Sequence, residues 1–202
     1  MDHSLWGIMG TNYCKNIVLD GCELSRFDAH QGVMNVTIRN STLGRMGIKL
    51  TGFGTFLAEN TIVKSSSFID LRSDYGSTWN GDVIIRNCKF IPQRRSNQIP
   101  IISGSNDGQH DFGYTTYLPQ KVVIDQLFIE DKKPNKAYRG PVIFGNINPR
   151  MKDQSYKPPH PQVLPKMVAY RGVQTTSGKP ISLSTNQFMF EGVKLVDGDS
   201  GK

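Results

Sequence analysis

Ile17-Val-Leu-Asp-Gly-Cys-Glu-Leu24 decides the fold, because the chain repeats its pattern at Val36-Thr-Ile-Arg-Asn-Ser-Thr-Leu43, Phe56-Leu-Ala-Glu-Asn-Thr-Ile-Val63 and Val83-Ile-Ile-Arg-Asn-Cys-Lys-Phe90. Weaker copies are Val122-Val-Ile-Asp-Gln-Leu-Phe-Ile129, Val168-Ala-Tyr-Arg-Gly-Val-Gln-Thr175 and Phe188-Met-Phe-Glu-Gly-Val-Lys-Leu195. The starts lie 19, 20, 27, 39, 46 and 20 residues apart. The shortest spacings match one minimal coil of a β-solenoid, and the longer ones imply loops inserted between coils. Within the octad the first and third positions are apolar, the period-two signature of a strand with one face in a core, where a helix would need a spacing of three to four. The fifth position holds Gly21, Asn40, Asn60, Asn87, Gln126, Gly172 and Gly192. Gly and Asn tolerate a left-handed backbone, so this column predicts a tight bend between two strands.

A further apolar strand follows each octad: Phe27-Asp-Ala-His30, Ile48-Lys-Leu50, Ile69-Asp-Leu-Arg72, Ile99-Pro-Ile101, Val142-Ile-Phe144 and Ile181-Ser-Leu183. The expected architecture is all-β, a right-handed single-stranded parallel β-helix of about seven coils. One domain spans residues 1–202, with loop insertions at 73–82, 91–98, 104–120, 130–140 and 146–166. The last insertion carries Lys157-Pro158-Pro159-His160-Pro161 and reads as an extended arm across the helix surface or a neighbouring subunit. Each coil buries its apolar face only against its neighbours, so the ends must be covered. No amphipathic cap helix is legible, which suggests either a piece of a longer protein, the favoured reading, or ends covered by other subunits.

The net charge of +7 and the pI near 9.4 favour a polyanionic partner. Nucleic acid is a poor choice, since the basic residues are scattered and Arg94-Arg95 is the sole Arg doublet. No run reaches the roughly 18 apolar residues of a membrane span, and the opening Met1-Asp2-His3-Ser4-Leu5-Trp6 lacks the regions of a signal peptide. Cys14, Cys22 and Cys88 form no CxxC pair. Cys22 and Cys88 share the sixth octad position three coils apart, about 14 Å at about 4.8 Å per coil, too far for a disulfide.

Asp28-Ala29-His30, Thr37-Ile38-Arg39-Asn40-Ser41 and Leu71-Arg72-Ser73-Asp74-Tyr75-Gly76-Ser77-Thr78-Trp79 resemble the pectate-lyase-like superfamily of parallel β-helices, and more narrowly the tail spikes and pre-neck appendages of bacteriophages. The resemblance implies a virion or extracellular protein that binds, and in some relatives cuts, cell-surface polysaccharide or wall teichoic acid, commonly as a homotrimer. No family motif transfers catalytic residues to this chain, and fold-level likeness is an associational warrant for function.

Placing the apolar residues of the post-octad strand inward turns the intervening ones outward in two columns, Asp28-Lys49-Asp70 and His30-Thr51-Arg72. Asp28, His30, Asp70 and Arg72 are the candidate catalytic residues, because carboxylate, imidazole and guanidinium groups on one face are the parts of general acid–base work on an anionic substrate. Lys49, Asp74, Tyr75, Trp79, Asp107, His110 and Asp111 are candidate substrate-binding residues, the last six from loops whose mix of rings, amides and carboxylates suits a sugar-binding wall. The competing reading makes Asp28, Lys49 and Asp70 an opposite-charge ladder in a non-catalytic structural module. No cofactor is indicated. Calcium could use Asp70 and Asp74, or Asp107 and Asp111, yet the full EF-hand pattern is missing. No Ser-His-Asp order and no phosphate-cradling Gly-rich loop is present.

Overall fold

A computed structural model of the chain describes residues 7–93, 96–104, 113–131, 136–147, 162–184 and 190–198. It is a parallel β-helix: all its strand pairs run parallel, joined in one 14-stranded sheet that winds around a common axis, beside a two-stranded ribbon of Thr116–Tyr117 and Gln162–Val163.

Six octads stack in the register that the sequence pattern predicts. Ile17 pairs with Val36, Val36 with Phe56, Phe56 with Val83, Val83 with Val122 and Val122 with Val168. The cause is the alternation: one residue of slip would carry every inward side chain of a coil into solvent. The fifth-position residues Gly21, Asn40, Asn60, Asn87, Gln126 and Gly172 all have positive φ, between 48° and 65°. Small polar side chains at the sixth position brace this bend, since each donates to the backbone carbonyl two residues back. Ser41 Oγ reaches Arg39 O at 2.6 Å, Thr61 Oγ1 reaches Glu59 O at 2.9 Å and Cys88 Sγ reaches Arg86 O at 3.2 Å.

A second left-handed column, not legible in the octads, runs through Asn16, Asn35 and Gly54 at the entrance to the same strand. Asn35 donates to Asn16 Oδ1 at 2.9 Å and accepts from Thr55 N–H at 2.9 Å, so each coil satisfies polar groups of the next. Between the two bends the chain runs in long bent strands. Glu23–Arg39 alone holds the end of one octad, the post-octad strand and the start of the next octad.

The core is a column of stacked inward residues. Phe27, Phe56, Phe68, Trp79, Phe90 and Phe144 are fully buried, and Phe56 meets Trp79 edge-on at 6.3 Å between centroids, as Phe68 meets Phe90 at 5.9 Å. Each such ring contributes about 1.5–3 kcal/mol by leaving water.

Three placements differ from the sequence pattern. In the last coil Leu195 pairs with Val168, so the seventh octad does not continue the register; its Phe190 is buried instead against the post-octad strand, stacked on Phe144 at 5.0 Å between centroids. Along the post-octad strand, Ile102 rather than Ile99 faces Ile69. The run Ile99–Ser103 is buried at every position, so its two faces could not be told apart by period. The insertion expected at 73–82 ends at Thr78, because Trp79–Phe90 is one strand paired with Gly52–Glu59.

Candidate functional site

Phe27 and Ala29 point into the core, which turns Asp28 outward beside Lys49 and Asp70 as the alternation requires. Asp28 is nevertheless only 7% exposed, because cations cover it. Arg72, two coils on, brings Nη1 to 2.7 Å from Asp28 Oδ1 and 2.6 Å from Oδ2, and Arg26 pairs with Oδ2 as well. Lys49 turns the other way and pairs with Asp70.

The remaining donors of Arg72 go to Asp74, with Nε at 3.1 Å from Oδ1 and Nη2 at 2.5 Å from Oδ2. This fork holds the Asp74 carboxyl below the usual carboxylate range, and the two carboxylates push the Arg72 guanidinium further up from its already high value. The turn that presents Asp74 is a 3₁₀ helix, Ser73–Tyr75, closed by Gly76 in the left-handed conformation (φ 73°) with its N–H on Ser73 O.

Tyr75, the last residue of that turn, stands at the edge of the sheet. Its ring lies under the Arg72 guanidinium at 5.7 Å and meets His30 edge-on at 4.9 Å. His30 Nδ1 lies 2.7 Å from Asn12 Oδ1, so in the neutral ring Nδ1 carries the proton and Nε2 is the basic nitrogen, 3.4 Å from Tyr75 Oη. Tyr13 is 76% exposed and donates to Gln31 Oε1 at 3.3 Å. It lies over Gly32, where a Cβ would come within 2.5 Å of the ring. Tyr114 is also exposed at this end of the molecule; burial and, to a lesser degree, the nearby Tyr75 raise its phenol.

The segments after Ser73–Tyr75 and before Lys121 touch one another. Tyr117 N–H donates to Thr78 Oγ1 at 2.9 Å. Gln162 Nε2 donates to Ser77 O at 3.1 Å, which lays Gln162–Val163, the end of the Pro-rich insertion, across loops of its own chain.

The structure thus brings together Asp28, His30, Arg72, Asp74 and Tyr75, with the Lys49–Asp70 pair beside them. It does not bring Trp79 into this group. Trp79 is fully buried, with Nε1 on Gly54 O at 3.1 Å, because strand alternation turns it into the core where a loop residue was expected. Thr51 is likewise buried instead of continuing the His30 column, since the register shifts after Ala29. Asp107, His110 and Asp111 lie outside the described residues. Arg26, Asn12, Tyr13 and Tyr114 were missed by sequence. Arg26 occupies the outward position before Asp28 and could have been found by alternation, whereas Asn12 and Tyr13 precede the first repeat and carry no periodic signal.

Among the described residues no group of three or more His, Cys, Asp or Glu side chains is placed to hold a metal ion. Lys49 and Arg72 pair with oxygens of Asp70 and Asp74, the first pair of carboxylates considered for calcium. Among the described residues no helix is long and apolar enough to cross a membrane. Comparison of the chain with protein-family models, curated proteins and solved structures gives no match.

Proposed function

We propose that this β-helix binds an anionic cell-surface polymer, a polysaccharide or teichoic acid, as part of a virion tail or another extracellular fibre. The observation that carries the reading is the edge cluster of His30, Tyr75, Asn12, Tyr13 and Gln31, in which rings and amides from one strand, a 3₁₀ turn and the bend before the first repeat are held side by side. Rings stack on the apolar faces of sugars and amides take their hydroxyls. The net charge of +7 favours a polyanion over a neutral glycan.

Binding is better supported than cleavage. Asp28 and Asp74 are ion-paired to Arg72, and Asp70 to Lys49, so their oxygens are already engaged, and the bond from Arg72 favours the ionised form of Asp74. His30 is the group of the cluster suited to proton transfer, and a depolymerase built on this face would have to work through it. A non-catalytic fibre module is the second reading, and the paired charges favour it.

The test is titration of the chain with purified wall teichoic acid and with uronate-containing polysaccharide, following binding by calorimetry and chain length by size-exclusion chromatography. Binding weakened by His30→Ala and by Tyr75→Ala, with polymer length unchanged, is the expected result. Shortened polymer would establish a depolymerase. Absence of binding to both polymers would overturn the proposal.

A further inference from the structure

We propose that the outer surface of the sheet formed by the first halves of the octads is a self-complementary interface, which joins two copies of this chain in antiparallel orientation. This face lies apart from the His30–Tyr75 cluster, and the inference does not depend on the polymer.

Two neighbouring outward columns carry the argument. The second octad position stacks Val18, Thr37, Leu57, Ile84, Val123 and Ala169 in register through six coils. Val18 is 57% exposed and the others are half-buried, so an outward stripe of a soluble face is apolar nearly throughout. Beside it the fourth position stacks Asp20, Arg39, Glu59, Arg86, Asp125 and Arg171, whose signs alternate without a break. Within the chain they already pair as Arg39–Asp20 at 2.9 Å, Arg86–Glu59 at 3.2 Å and Arg171–Asp125 at 2.7 Å.

An alternating column of even length is matched by its own reverse. A two-fold axis perpendicular to the helix and passing between the coils of Glu59 and Arg86 sets Asp20 opposite Arg171, Arg39 opposite Asp125 and Glu59 opposite Arg86. Every cross-pair is then of opposite sign. The same axis sets Val18 against Ala169, Thr37 against Val123 and Leu57 against Ile84. Level parallel contact of the same face would instead oppose like charges, and parallel contact offset by one coil leaves an open end that does not close. Three acids and three bases make the face neutral, so the positive charge of the whole chain does not bear on it. Six coils about 4.8 Å apart and strands of four residues at about 3.3 Å each offer roughly 400 Å² per copy. That is a small interface, so the dimer should be reversible in the micromolar range and weakened by salt.

The experiment is sedimentation velocity of the whole chain, from low micromolar to several hundred micromolar, at low and high salt. A monomer–dimer equilibrium that weakens with salt is expected. Exchanging one internal pair, Asp20→Arg with Arg39→Asp, keeps that pair and the net charge but opposes like charges across the interface, and should raise the dissociation constant by at least about tenfold. Adding the exchange Asp125→Arg with Arg171→Asp restores every cross-pair and should bring the dimer back. The second exchange made alone provides an independent copy of the first arm, with thermal melting checking that each monomer is folded. Monomer at every concentration, a trimer by mass, or a four-residue variant no better than the two-residue one would overturn the proposal.

Discussion

Arg72 holds both carboxylate oxygens of Asp28 through a single nitrogen, Nη1, at 2.7 and 2.6 Å, from a position two coils away. The guanidinium therefore spans the coil of Lys49, and Lys49 is left to pair with Asp70. What sequence alternation shows as one column of three charges is in three dimensions two separate ion-pair systems, and they differ in burial.

That difference gives the first expectation. Removing the Asp28 charge leaves Arg26 without this carboxylate and Arg72 with Asp74 alone, and the two side chains are only 23% and 15% exposed. Asp28→Asn should destabilise the protein by about 2–4 kcal/mol, near the range for breaking a buried pair. Asp70→Asn breaks the more exposed Lys49 pair and should cost only about 0.2–1 kcal/mol. Urea titration of the two variants measures both, and equal losses would mean that Arg72 does not depend on Asp28.

The pH dependence follows from Asp74. Its carboxyl titrates below the usual 3.8 in the folded chain because Arg72 bonds it. A lowered carboxyl favours folding fully above the unfolded value and loses that contribution as pH falls through the folded one. The melting temperature should therefore show no loss from this pair between pH 7 and pH 5, about one unit above the unfolded value. It should fall as pH drops below about 4, and Asp74→Asn should flatten that acid limb.

Asn87 sits in the bend column with φ 51°. A β-branched side chain there meets the steric penalty of the left-handed region, about 1–2 kcal/mol, whereas glycine does not. Asn87→Val should lower stability by about that amount and Asn87→Gly by a few tenths. Similar losses from both would place the bend elsewhere.

The buried position of Trp79 is open to fluorescence. In a Trp6→Phe background Trp79 is the remaining tryptophan. Its emission should be blue-shifted, poorly quenched by iodide and unchanged by added polymer. Trp79→Ala should cost about 3–5 kcal/mol as a core truncation. A polymer-dependent change in emission would return Trp79 to the binding surface.

Thiol reactivity tests the stacking of the sixth octad position. Burial pushes the Cys88 thiol up to about 11, and its side chain is covered, while Cys14 and Cys22 are half-buried. At pH 8, about three units below that value, a thiol reagent should label Cys14 and Cys22 well before Cys88. Peptide mapping should find no Cys22–Cys88 crosslink.

The octads made the strand register and the bend column readable before any coordinates, because both depend on local chemistry. Alternation selects the buried face, and Gly or Asn at the fifth position marks the residue that must enter the left-handed region. The same alternation turned Asp28, Lys49 and Asp70 to the outside correctly. It could not say which cation reaches which carboxylate, since a long guanidinium passes over a whole coil and its choice depends on distances between strands that are far apart in sequence. It also misjudged Trp79, because a polar, Gly-containing stretch looks like a loop until pairing with Gly52–Glu59 makes it a strand. The cluster of His30, Tyr75 and Asn12 is a property of the tertiary structure alone. Its members come from a strand, a 3₁₀ turn and the segment before the first repeat, and only the winding of successive coils brings those three places to one edge.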